Sequence, residues 1–135
     1  MPADARRLSW RFDKSACTDY APRAMSDSAI RMLLIVGSPR EKSATRAAMS
    51  HLAADLRAAG SEVDLLDLRV ESLPPYSPDT SYANPAFAVF KKRIVQAQVI
   101  VLGSPDYHGS VSSTLKNFLD HFWQELAGKL IGHVV

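Results

Sequence analysis

Cysteine is almost missing from this chain. Cys17 stands alone among 135 residues, so no internal disulfide can form, and no CxxC pair or Cys/His cluster has the spacing of a metal site. A reducing compartment fits that usage best, which makes a cytoplasmic location the expectation and leaves no metal site expected. Long apolar runs are missing as well. Hydrophobic residues make up 47% of the chain, yet no run approaches the roughly 20 residues that span a bilayer, so no membrane partner is expected.

Charge of one sign is also scarce. The formal net charge is only +2, and it sits at one end. Residues 1–24 hold Arg6, Arg7, Arg11, Lys14 and Arg23 against Asp4, Asp13 and Asp19, whereas eleven Lys/Arg balance eleven Asp/Glu from Met25 onward. The basic excess therefore belongs to the tail, which argues against a nucleic-acid partner for the rest. The tail has neither strand nor helix periodicity and lacks the apolar core of a secretion signal, while its aspartates argue against an organelle transit peptide. Residues 1–29 read as a disordered N-terminal extension, and "MSDSAIRMLLIV" makes Met25 a candidate alternative translation start. Residues 30–135 read as one domain.

What the chain does have is an alternation of short apolar runs with helix-periodic segments. Met32 to Val36 is continuous and apolar, as in a strand buried on both faces. Ser43 to Ala59 carries Ala48, Leu52, Leu56 and Ala59 at helical spacing, and Gly60 follows as a terminator. Glu62 to Leu68 predicts a second strand, followed by a loop rich in proline and serine. Asn84–Pro85 reads as an N-cap with proline in the first helical position, ahead of a stripe of Phe87, Phe90, Ile94 and Val95. "QVIVLG", 98–103, predicts a third strand. Ser113 to Leu126 predicts a third helix, with Leu115, Phe118, Leu119, Phe122 and Leu126 along one side, and "LIGHVV" opens a fourth strand. Strands alternating with helices imply parallel pairing and a doubly wound α/β sheet. In such sheets ligands sit beyond the carboxyl ends of the strands, at the switch point.

Two loops lie at those ends. "GSPREKSATR", residues 37–46, places Ser38, Ser43, Thr45 and Arg40 where a strand hands over to a helix. Unpaired N–H groups and a helix dipole favour an anion there, and hydroxyls and a guanidinium fork add donors. The same residues also suit a bare helix cap with solvated arginines. A Walker loop is excluded because Glu41, not glycine, precedes Lys42–Ser43. A dinucleotide GxGxxG is excluded because Gly37 is alone. No cysteine nucleophile is present for phosphatase chemistry. The loop can hold phosphate and has no means to cleave it. The second loop, "SPDYHGS", joins an aromatic, a glycine that permits close backbone approach, and flanking hydroxyls. No carboxylate at readable spacing orients His108 as a general base, and Tyr107 suits either a ring contact or a buried anchor.

With "DLRVESLPPYSPD" between them and "LKNFLD" after the second, these loops resemble the NAD(P)H-dependent FMN reductase family. Its members share, in the same order and at similar spacing, a GSxRxxSxxR-type phosphate loop, a DLxxLPxY segment and a PxYxGSxxxxLKNxLD block. The resemblance runs from about Met32 to the C-terminus. It implies a flavodoxin-like sheet of order 2-1-3-4 whose fifth strand is absent from this chain, the domain being truncated inside the fourth strand. It implies that Ser38, Arg40, Ser43 and Thr45 hold the FMN phosphate. Pro105, Asp106, Tyr107, His108, Gly109 and Ser110 would border the flavin ring, and Lys116 and Asn117 would support that second loop. The chemistry would belong to the flavin, with NAD(P)H as co-substrate, a flavin, quinone or similar acceptor, and no catalytic side chain. Dimers or tetramers are usual, which would suit Phe118, Phe122 and Trp123, residues that a monomer core also explains. The alternatives are a non-enzymatic flavodoxin-type electron carrier and an inactive remnant serving as an interaction module. The chain departs from the pattern where Asp106 and His108 replace common Glu and Asn, and where Ser112–Ser113 replaces Pro–Gly.

Overall fold

Each apolar run of the sequence has become a strand of one parallel sheet. The computed structural model describes residues 29–135; the expected N-terminal extension and the candidate start at Met25 fall outside the described residues up to that point. In chain order the elements are β1 (Arg31–Val36), α1 (Ala44–Ala58), β2 (Glu62–Asp67), a 3₁₀ turn (Ser81–Ala83), α2 (Pro85–Gln96), β3 (Val99–Gly103), α3 (Ser113–His121) and β4 (Leu130–Val134). The sheet order is β2-β1-β3-β4, all parallel. This is the doubly wound, flavodoxin-like arrangement expected. In register, Val36 lies opposite both Asp67 and Gly103, so the ends of the first three strands form one edge.

Alternation along the strands divides the core between two faces. Leu33, Ile35, Leu66 and Ile100 point to the side covered by Phe90 and Ile94 of α2 and by Leu115 and Phe118 of α3. Leu34, Val36 and Val101 point to the side covered by Met49 and Ala53 of α1. Each fully buried aliphatic or aromatic side chain contributes about 2 kcal/mol relative to exposure, so both helical layers are held by apolar contact.

The caps explain where the helices begin. Ser43 caps α1, its Oγ accepting from the Arg46 amide at 3.2 Å. Asn84 caps α2 by accepting from Ala86 N at 2.9 Å, with Pro85 in the first turn as expected. Gly60, at φ +91, ends α1 in the left-handed region that suits glycine.

Two local expectations differ from the structure. The helix predicted to reach Leu126 stops at His121, because Phe122 turns into the core: it is fully buried, stacked on Phe87 at 5.0 Å and packed on Phe118 at 4.9 Å. The chain then returns through turns that let Lys129 donate to the Ala97 and Val95 carbonyls at the end of α2 (2.6 and 3.3 Å). Val95, placed on the apolar stripe of α2, is instead 57% exposed, since a helix of this length buries a narrower face through Phe90 and Ile94.

Candidate functional site

The loop 37–43 leaves β1 at the carboxyl edge and is shaped by one side chain, Arg46, in the first turn of α1. Its Nη1 donates to the carbonyl oxygens of Arg40 and Glu41, the latter at 2.7 Å, and its Nη2 donates to Ser38 O at 3.1 Å. Nε and Nη2 also donate to both Asp67 carboxylate oxygens, at 2.6 and 3.1 Å. The Arg46 hydrogen bond holds the Asp67 carboxyl below the usual carboxylate range, aided by the Arg69 amide, and Asp67 in turn raises Arg46. Asp67 occupies the last position of β2, opposite Val36, so the parallel register itself delivers the carboxylate to the loop.

Turning the Arg40 and Glu41 carbonyls inward faces the Glu41 and Lys42 amides outward. Among the described residues, the N–H groups of Ser38 and of residues 40–45 have no protein acceptor. The result is a run of unpaired amides at a helix N-terminus, an arrangement suited to a phosphate.

The hydroxyl residues of the loop take different places. Ser38 is buried at the end of β1, Ser43 caps the helix, and Thr45 stands half-buried in the first turn with its methyl directed at Gly103. Arg40 is exposed and has no ion-pair partner among the described residues. Its guanidinium is therefore available to an anion.

The second loop leaves the neighbouring strand β3 as a tight hairpin. Tyr107 and Ser110 exchange both backbone hydrogen bonds (3.0 and 3.2 Å), with His108 at φ 57 and Gly109 at φ 76 between them. Positive φ at both central residues defines a type I′ turn, for which glycine at the second position is favoured. Asp106 Oδ1 accepts from Gly109 N at 2.7 Å, which ties the carboxylate to the turn. Pro105, Asp106, Gly109 and Ser110 line a cavity of about 250 Å³ together with Val111, His133 and Val135. Tyr107, which opens the turn, and His108, at its tip, are not part of that lining.

The two loops are bonded to each other. Gly37 N donates to Gly103 O at 2.7 Å. The buried Ser112, N-cap of α3, donates its Oγ to Gly37 O at 2.6 Å while its own amide donates to Ser104 Oγ at 2.9 Å. Asn117 differs from its expected place: it holds the proline-rich loop after β2, not the hairpin. Its Oδ1 accepts from Tyr76 N at 2.8 Å and its Nδ2 donates to Pro74 O at 3.0 Å. Lys116 pairs with Asp120 along the helix surface. Phe118 and Phe122 belong to the core, whereas Trp123 is 66% exposed.

Sequence reasoning missed Arg46, Ser112 and Asp67. The signal for Arg46 and Asp67 was an acid closing the second strand and an arginine in the first turn of the preceding helix. Only the register makes them neighbours. Among the described residues no cluster of three His, Cys, Asp or Glu side chains offers a metal site, and no helix is long and apolar enough to cross a membrane.

A parallel sheet of this order, with unpaired amides after β1 and a glycine hairpin after β3, defines a flavodoxin-like domain. The profile of the NADPH-dependent FMN reductases matches residues 30–135, and the chain belongs to that family. Among its relatives, the FMN-dependent NADPH-azoreductase of Staphylococcus haemolyticus (strain JCSC1435) is 34% identical over 94 residues, covering 66% of this chain and 50% of that protein. The NADPH azoreductase of Bacillus sp. (strain OY1-2) is 32% identical over 93 residues, covering 68% and 49%. The chain thus spans about half the length of the curated relatives it matches. Among solved structures, the flavoenzyme NAD(P)H:(acceptor) oxidoreductase FerB of Paracoccus denitrificans superposes with a TM-score of 0.65 at 22% identity, over 78% of this chain and 60% of that one. The NAD(P)H:quinone oxidoreductase of Methanothermobacter marburgensis gives 0.63 at 17% identity, over 78% and 63%. These two likenesses support the fold.

Proposed function

We propose that the chain forms the phosphate-binding and part of the ring-binding portion of an FMN-dependent NAD(P)H oxidoreductase. The observation that carries this reading is the run of unpaired amides between Ser38 and Thr45, tied through Gly37 to Gly103 and Ser112 on either side of the hairpin 105–110. Ser38, Arg40, Ser43 and Thr45 surround the phosphate position. Arg40 brings the free charge, and the amides bring fixed dipoles that need no reorganisation on binding. Pro105, Asp106, Gly109 and Ser110 form a wall against which a planar ring can lie. Gly109 has open space where a Cβ would stand, so the backbone is approachable. Tyr107 and His108 border that wall from the turn.

When bound, FMN would supply the redox chemistry between NAD(P)H and a small-molecule acceptor such as a flavin, quinone or azo compound. The protein's part is to hold the phosphate, fix the ring against the hairpin and exclude water from one face. No side chain of the described residues needs to accept a proton, in keeping with an Asp106 carboxylate committed to Gly109 N. We further propose a cytoplasmic homo-oligomer, a dimer or tetramer, for which the exposed Trp123 indole is the available apolar anchor.

Steady-state oxidation of NADPH and of NADH, with free FMN, a quinone or an azo dye as acceptor, tests the reading. Turnover that needs added FMN supports it. FMN binding with no turnover for any acceptor would favour an electron carrier. Neither binding nor turnover would remove the flavin altogether.

A further inference from the structure

The Arg46 guanidinium is fully spent inside the protein. A guanidinium has five N–H donors and no acceptor. Here they go to Asp67 Oδ2, Arg40 O, Glu41 O, Ser38 O and Asp67 Oδ1. No donor remains for a ligand, and the positive charge is matched by a bidentate carboxylate. An arginine this close to an anion site would ordinarily be read as an anion ligand. The bonding excludes that reading.

What the side chain controls is the orientation of peptide groups. The described residues contain no cis peptide bond, and in a trans peptide the N–H of one residue points opposite to the C=O of the residue before it. Drawing Arg40 O and Glu41 O onto Arg46 therefore turns the Glu41 and Lys42 amides outward. Drawing Ser38 O inward wastes no donor, because the next residue is Pro39, which has none. Asp67 fixes the fork from β2, so the loop shape is coupled to strand register.

We propose that Arg46, seated on Asp67, is a positioning residue for the ligand phosphate: it sets the direction of the amides that bind the anion and adds no net charge of its own. This inference rests on the FMN reading above. It assigns the phosphate preference to geometry, so a point charge cannot replace the fork. Lysine has three donors on a flexible stem and cannot gather three carbonyls and two carboxylate oxygens together.

The test compares FMN with riboflavin, which has the same ring and no phosphate, by fluorescence titration of the wild-type chain and of R46K and R46Q. Wild type is expected to prefer FMN. Both variants should weaken FMN by about tenfold or more, the scale of losing charge-assisted hydrogen bonds, with riboflavin changed less than about twofold. R46K that keeps wild-type FMN affinity would overturn the proposal, since charge would then suffice. Equal losses for FMN and riboflavin would also overturn it, showing a general structural role. Melting temperatures without ligand identify a variant that fails to fold, and R46K, which keeps the charge opposite Asp67, then serves for R46Q. A wild-type chain that does not prefer FMN defeats the flavin reading itself, a different failure from a variant that keeps the preference.

Discussion

Ser112 Oγ donates to Gly37 O across 2.6 Å, bonding the start of α3 to the end of β1 inside the molecule. The same oxygen accepts the Leu115 amide at 3.1 Å as the helix cap, and Ser112 is fully buried. Ser112→Ala removes the cap and leaves a buried carbonyl and amide without partners, so it is expected to destabilise the chain by about 2–3 kcal/mol. Urea unfolding measures this. A loss below about 0.5 kcal/mol would show that water or a neighbour replaces the hydroxyl.

Gly37 and Gly103 let the helices close onto the sheet, and they should differ in tolerance. A Cβ on Gly103 would meet Met49 Cγ at 2.6 Å and Sδ at 2.8 Å, the flexible end of one side chain. On Gly37 it would meet Leu115 Cβ at 2.7 Å and the Gly103 carbonyl at 2.9 Å, which cannot step aside. Gly103→Ala is expected to cost about 1–3 kcal/mol, and Gly37→Ala more. Combining Gly103→Ala with Met49→Ala should cost less than the sum of the two single changes. Additive losses in thermal unfolding would contradict the contact.

The Arg46–Asp67 pair sets a pH window. Asp67 has its carboxyl lowered in the folded chain, chiefly by the Arg46 hydrogen bond. Its stabilisation is therefore fully present above the unfolded value of about 4 and is lost as pH falls through the lower folded value. Stability relative to Asp67→Asn should be constant from about pH 5 to 8 and shrink below about pH 4. Denaturant unfolding across that range checks it; a difference that grows on acidification would reverse the sign.

The His108 backbone is left-handed at φ 57. His108→Val, with its β-branch, should cost about 1–2 kcal/mol, while His108→Asn, a residue favoured in this turn, should be neutral or slightly stabilising. Equal effects of the two in thermal unfolding would mean the hairpin relaxes to another turn.

Strands β1, β3 and β4 were legible as short apolar runs and β2 through Val63, Leu65 and Leu66, and α2 announced itself through Asn84–Pro85. The end of α3 was not legible: Leu126 continues past Phe122 the helical stripe of Leu115, Phe118 and Leu119, and only the aromatic cluster of Phe87, Phe90 and Phe118 draws Phe122 out of the helix. At the site, loop chemistry showed as residue types, Ser38 through Thr45 and Pro105 through Ser110. Its geometry did not. Arg46 reaches Asp67 across 21 positions and Ser112 reaches Gly37 across 75; those bonds depend on strand order and register, which no local pattern encodes.

The central claim is that the loop after β1 binds the phosphate of a flavin. The most direct measurement is the melting temperature of the wild-type chain with rising FMN, set against riboflavin at equal concentration. A ligand that binds only the native state must raise it in proportion to RT ln(1 + [L]/Kd). The account predicts a saturable, concentration-dependent rise with FMN and a much smaller one with riboflavin. Equal rises, or none with FMN, would contradict it.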